Sequence, residues 1–201
     1  MANNTIATPR VGEYNIPRLA DQGFRKRRDG GMSHMEPLRI LVPVNGDASD
    51  EQAVRLACGL TRKNKNKGKV FVLNVVEVGR NLPVESPEPD EVDRCESILH
   101  RMESVGAEEK CAVEAEILQA REAGPAVVAE ALERGADLIV MGLDYKKRHG
   151  EFRLGDTIEY VLKNAPCRVL ISREPAINGT GRGGSSEPAS VPAAGASLRV
   201  E

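Results

Sequence analysis

Short apolar runs alternating with segments of helical period constrain the fold of this chain more than any other feature. "LRILVPV" (38–44), "VFVLNVVEV" (70–78), "DLIVM" (137–141) and "CRVLIS" (167–172) are nearly continuous in Val, Leu and Ile, as strands covered on both faces must be. "AVEAEIL" (112–118) mixes apolar residues with Glu, as a half-covered strand would. The segments between repeat every 3.6 residues. Ala53, Leu56, Ala57 and Leu60 share one face, and Val92, Cys95, Ile98, Leu99, Met102 and Val105 form a second stripe. A third helix starts at Gly124–Pro125, with Pro at its first position, carries Val127, Val128, Ala131 and Leu132, and stops at a left-handed Gly135. A fourth spans Thr157 to Asn164, and Asp47 or Ser49 suits the N-cap of the first. Five strands and four helices in alternation predict an α/β fold, an open five-stranded parallel doubly wound sheet with helices on both faces, a Rossmann-type three-layer sandwich.

The alternating pattern occupies residues 37–174. Residues 1–36 mix Asn, Pro, Gly and Arg without a period, and read as a disordered basic tail. An internal start at Met32 or Met35 would remove most of it. Residues 175–201 are rich in Gly, Ser, Pro and Ala, and read as a second disordered tail. A net charge of -2 argues against a nucleic-acid partner or an anionic membrane. No run is long enough to span a bilayer and no apolar leader is present, so a cytoplasmic protein is expected. Cys58, Cys95, Cys111 and Cys167 form no CxxC pair and have no His at zinc spacing, which predicts free thiols and no metal. His34, His100 and His149 suggest no Ser–His–Asp arrangement, and His149 beside Glu151 and Tyr145 reads as an ordinary polar loop. No catalytic residue is expected.

In a doubly wound sheet, ligands bind beyond the carboxyl ends of the strands. The candidate site is therefore built from Pro43, Val44 and Asn45 after the first strand, Val75 in the second, and Met141 and Gly142 at the fourth. The stretch "MGLDYKKRHGEFRLGDT" then carries a basic loop to Gly155, thirteen positions after Gly142. That loop has the layout of a phosphate cradle between a strand and a helix.

"ILVPVNG", "VLNVVEV", "GADLIVMG" and "EYVLKNAPCRVLI", in that order and at these separations, resemble the universal stress proteins of the UspA type over residues 37–174. The resemblance implies an adenine nucleotide alpha hydrolase-like fold, usually a dimer, with a regulatory role in stress or energy response. Many members hold ATP on a pattern of Gly, two residues, Gly, nine residues, then Gly and Ser or Thr. Gly142 and Gly155 match its first and last glycines. Tyr145 replaces the middle glycine, Asp156 replaces the hydroxyl residue, and Asn45 stands where the family has an adenosine-contacting Asp.

Those departures have physical consequences. Tyr145 brings a ring and a Cβ where backbone N–H groups should approach phosphate. Asp156, as N-cap of the fourth helix, would occupy the anion site itself. At an effective dielectric near 20, two like charges about 4 Å apart repel by roughly 4 kcal/mol, close to a thousandfold in affinity. Lys146, Lys147, Arg148 and Arg153 oppose that charge, and Thr157 offers a hydroxyl one position late. Adenine would be gripped near Val44 and Val75. The expected protein is a non-enzymatic regulator with weak or lost binding of ATP, ADP or AMP. It would pair as a homodimer through the edge strand Cys167–Ser172 and act on a regulatory protein partner. The alternative is an ATP-binding switch in which the basic loop 145–153 clamps the phosphates, with slow hydrolysis or autophosphorylation.

Overall fold

Main-chain hydrogen bonding turns the alternating pattern into a parallel sheet wrapped by helices. The structure is a computed structural model that describes residues 10–11, 38–63, 68–81, 83, 89–144, 147–148, 151–152 and 154–173. In chain order its elements are β1 (Arg10–Val11), β2 (Arg39–Val44), α1 (Ala48–Lys63), β3 (Lys69–Glu77), α2 (Pro89–Glu108), β4 (Val113–Ala120), α3 (Ala123–Glu133), β5 (Leu138–Gly142), β6 (Lys147–Arg148), β7 (Glu151–Phe152), α4 (Asp156–Asn164) and β8 (Arg168–Ser172). The sheet order is β1-β4-β3-β2-β5-β8, every pairing parallel. The five expected strands are all present, and the chain winds outward from β2 to β4 before returning to β5 and β8 on the other side.

Alternating side chains divide the core between the two faces of this sheet. Ile40, Val42, Val70, Val72, Ile117 and Val140 pack under α1 and α2 with Ala53, Val54, Leu99 and Met102. Leu41, Phe71, Leu73, Leu118 and Ile139 pack under α3 and α4 with Val127, Val128, Ile158 and Val161. The fold is thus the three-layer sandwich that the sequence predicts. In α1 the fully covered residues are Ala53, Val54, Ala57 and Cys58, while Leu56 and Leu60 pack at the margin. The stripe is turned from the expected one because the helix meets both the sheet and α2, and spacing alone does not say which flank is covered.

Two helix ends show their local logic. Glu122 holds the N-cap position of α3, so Pro125 is its third residue and not its first. That position still lies in the first turn, where the backbone N–H has no intrahelical acceptor for proline to remove. At the other end Gly135 (φ 60) donates to Leu132 O at 3.1 Å and Ala136 donates to Ala131 O at 2.8 Å, a Schellman closure. Beside it, Arg134 ion-pairs with Glu116 and Glu130 and lies 4.6 Å from the Phe71 ring centroid, tying α3 to β3 and β4. The helices α3 and α4 approach closely, because a Cβ on Gly124 would come within 2.8 Å of Tyr160 Cβ.

Three short elements, β1 and the pair β6 and β7, depart from the sequence reading. Arg10–Val11, within the segment read as a disordered tail, pairs with Leu118 and Gln119 along the outer edge of β4. The rest of both tails lies outside the described residues. The basic loop, read as an ordinary polar loop, contains an antiparallel ribbon in which Lys147 pairs with Phe152 and Arg148 with Glu151. Residues 145–146, 149–150 and 153 lie outside the described ones.

Candidate functional site

The strand order reverses between β2 and β5, and a crevice at the carboxyl ends of such neighbours is where doubly wound sheets take ligands. One wall is the turn from β2 into α1. The other is the end of β5. Gly142 brings these walls together: a Cβ there would lie 2.6 Å from the backbone oxygen of Ser49, so no larger residue fits against the first turn of α1. The turn is held from behind by α2, where Arg101 donates to Gly46 O at 3.2 Å and pairs with Glu51 at 3.4 Å. Asn74, buried on β3, donates from Nδ2 to Val44 O at 3.0 Å and fixes the end of β2.

The backbone N–H groups of Asn45, Gly46 and Ser49 at this turn already have acceptors, and those acceptors are carboxylates of the chain itself. Asp50 Oδ2 receives both Asn45 N–H, at 2.9 Å, and Gly46 N–H, at 2.8 Å. Asp144 Oδ1, from the segment after β5, receives Ser49 N–H at 3.0 Å. Asn45 Oδ1 accepts from Asp47 N–H at 3.0 Å, closing the turn. Asp50 is 4% exposed. Burial pushes its carboxyl above the ordinary value of 3.8, and the two N–H donors oppose that shift without cancelling it. Two carboxylates of the chain, one within the first turn of α1 and one from the segment after β5, thus lie at the positive dipole end of that helix.

The sequence-derived residues are placed as follows. Asn45 and Gly142 lie at the carboxyl ends of the adjacent strands β2 and β5, with Pro43 and Val44 preceding Asn45 in β2. Val44 is 5% exposed and belongs to the core under α1 and α2, whereas Val75 packs toward α3 and α4, so the two valines do not form one surface for adenine. They are neighbours in sequence register but alternate across the sheet, since Val44 pairs with Asn74 and Val75 follows it. Met141 is a core residue under α3 and α4. Tyr145 lies outside the described residues.

Asp156 is not the N-cap of α4. Gly155 is, at φ 87, a left-handed conformation that glycine adopts without strain, and the cap makes no side-chain hydrogen bond. Asp156 and Thr157 are the first two helical residues, with Asp156 exposed and Thr157 half-buried. An exposed carboxylate is screened by water, which lowers its repulsion at about 4 Å from roughly 4 toward about 1 kcal/mol. The carboxylates that accept backbone N–H groups at the turn into α1 are Asp50 and Asp144, which the sequence reading did not single out. A signal existed for Asp144, an acid two positions after Gly142 inside a loop whose layout calls for backbone donors. Among the described residues no group of three or more His, Cys, Asp or Glu side chains is placed to hold a metal ion.

Comparisons with known proteins agree with this architecture. The family model described as "Universal stress protein family" matches residues 38–173. Among solved structures, a universal stress protein from Archaeoglobus fulgidus superposes with a TM-score of 0.58 at 20% identity, covering 67% of this chain and 97% of that one. The A. fulgidus protein in complex with dAMP gives a TM-score of 0.55 at 20% identity, covering 67% and 96%. A family protein from Arabidopsis thaliana with AMP bound gives 0.50 at 18% identity, covering 73% and 98%. At these identities the likeness carries the fold. No curated protein matches the chain.

Proposed function

Because the chain belongs to the universal stress protein family, we propose that it is a non-enzymatic regulatory protein, acting as a homodimer on a protein partner, in which adenine-nucleotide binding is weakened at the phosphate end. One observation carries the reading: the N–H groups of Asn45, Gly46 and Ser49 are spent on Asp50 and Asp144. Relatives of the same fold were solved with dAMP and AMP, which supports a nucleoside or monophosphate as the ligand class that the frame favours. A triphosphate would bring further negative charge toward two carboxylates. A cytoplasmic location belongs to the same proposal, and no helix among the described residues is long and apolar enough to cross a membrane.

Isothermal titration of adenosine, AMP and ATP into the full chain tests it. Adenosine and AMP are expected to bind weakly, and ATP more weakly still. Asp144→Asn keeps an acceptor for Ser49 N–H while removing the charge, and should improve ATP binding by about tenfold, the equivalent of roughly 1.4 kcal/mol. Asp156→Ser alone should change it little.

The ribbon β6–β7 favours a second reading. It gives Lys147 and Arg148 a paired backbone frame, which supports the basic segment as a phosphate clamp in an ATP-binding switch. Tighter binding of ATP than of AMP, lost in Lys147→Glu with Arg148→Glu, would establish that switch and overturn the first reading.

A further inference from the structure

Away from the crevice, two thiols from distant parts of the sequence meet where α1 packs against the end of α2. Cys58 lies on α1, buried at 1% exposure within the core under α1 and α2. Cys111 follows the last turn of α2, half-buried, and packs against that same cluster. Thr61, one helical turn after Cys58, links them: its hydroxyl donates to Cys58 O at 2.8 Å and sits 3.6 Å from Cys111 Sγ. Cys111 is also one of the neighbours that raise the Cys58 thiol above its ordinary range.

We propose that Cys58 and Cys111 are a peroxide-sensitive modification site that closes into an intramolecular disulfide. The chemistry uses a hydroperoxide as oxidant. Cys111, the more accessible sulfur, attacks the peroxide as its thiolate, breaking the O–O bond to give a sulfenic acid and an alcohol or water. The Cys58 thiol then attacks that sulfur, forming S–S and releasing water, with its proton leaving on the departing hydroxyl. In sum, two thiols and one hydroperoxide give one disulfide, one alcohol or water, and one further water.

Two features decide the order of events. Burial is the largest cause holding the Cys58 thiol well above its ordinary range, which makes it a poor first nucleophile and a slow resolving one. Cys111 sits in irregular backbone directly after Lys110, a non-glycine residue at φ 54. Its backbone is held by the Cys111 N–H bond to Gly106 O at 2.9 Å, so rotation about the Cys111 side-chain bonds would carry the second sulfur to the first, at a bond length of about 2.05 Å. Cys95 is buried near the start of α2, and Cys167, which burial pushes up to about 11, lies after α4, so neither belongs to the pair.

Hydrogen peroxide applied to the full-length protein, followed by alkylation, digestion without reductant and mass spectrometry, tests the site. The expected product is a cross-linked peptide pair containing Cys58 and Cys111, preceded by dimedone-trappable sulfenic acid on Cys111. Oxidised wild type should melt several degrees higher, because the bond closes a long loop. Cys111→Ser should lose both the cross-link and the melting shift. Cys58→Ser should leave the Cys111 sulfenic acid unresolved. Full oxidation of Cys111 to sulfinic acid without the Cys58 peptide, or a Cys111 cross-link between chains, would overturn the proposal.

Discussion

Asp50 is the residue at which charge, burial and backbone geometry meet most closely. Its carboxyl is raised by burial although two backbone N–H groups bond one of its oxygens. A carboxyl raised above its unfolded value of 3.8 holds its proton more tightly in the folded state. Its contribution to stability is therefore greatest below that value and is lost as pH rises through the folded value. Asp50→Asn keeps an oxygen for both N–H groups while abolishing the titration. Urea unfolding from pH 4 to pH 7 should show wild type losing stability relative to Asp50→Asn as pH rises. A wild type that gains on the variant over that range would reverse the sign and sink the argument. Asp50 was hard to read from sequence because its role depends on the chain folding back through a turn onto Asn45, and composition shows only one more acid in a helix's first turn. Asp144 was legible by type but not by partner, since Ser49 lies 95 residues away.

At the scale of elements, the attachment of α3 to the sheet is the most testable feature. Arg134 serves two carboxylates at once, and Glu130 is 1% exposed. Removing the cation from a buried carboxylate costs about 3 kcal/mol or more. Arg134→Ala should lower the urea midpoint accordingly, and Arg134→Lys should recover only part, because an ammonium lacks the planar fork. A midpoint unchanged in Arg134→Ala would show that the cluster contributes nothing. The five long strands fall within two residues of their sequence-predicted bounds, because strands covered on both faces appear as nearly unbroken apolar runs. The two-residue elements β1, β6 and β7 leave no such trace. Main-chain pairing of that length needs no side-chain pattern, so only the folded chain displays it. For the same reason the α1 stripe was displaced: period names a face, and tertiary neighbours choose its edge.

At the scale of the molecule, the two edges of the sheet differ. The outer edge of β4 is partly covered by Arg10–Val11, whereas β8 carries no further strand among the described residues. An uncovered apolar edge is a template for strand pairing, and two copies joined there about a two-fold axis would use up both open edges and stop at a dimer. Light scattering after gel filtration should give a mass twice 21.8 kDa at micromolar concentration. A mass of one chain would remove the dimer from the proposed function.

The carboxylates that accept the N–H groups of the turn into α1 bear on what such a dimer could report. A site whose donors await a ligand leaves the empty protein less stable than the filled one, and that difference is how metabolite concentration is converted into shape or lifetime. Here the stand-in is covalently part of the chain and present in every copy. The turn from β2 into α1 is consequently held without a ligand, and under the proposed function a partner docking over that end of the sheet would meet nearly the same surface at any ATP concentration. Under the proposed function the molecule would then act less as a gauge of energy supply than as a fixed emblem, with its abundance as the quantity left to vary.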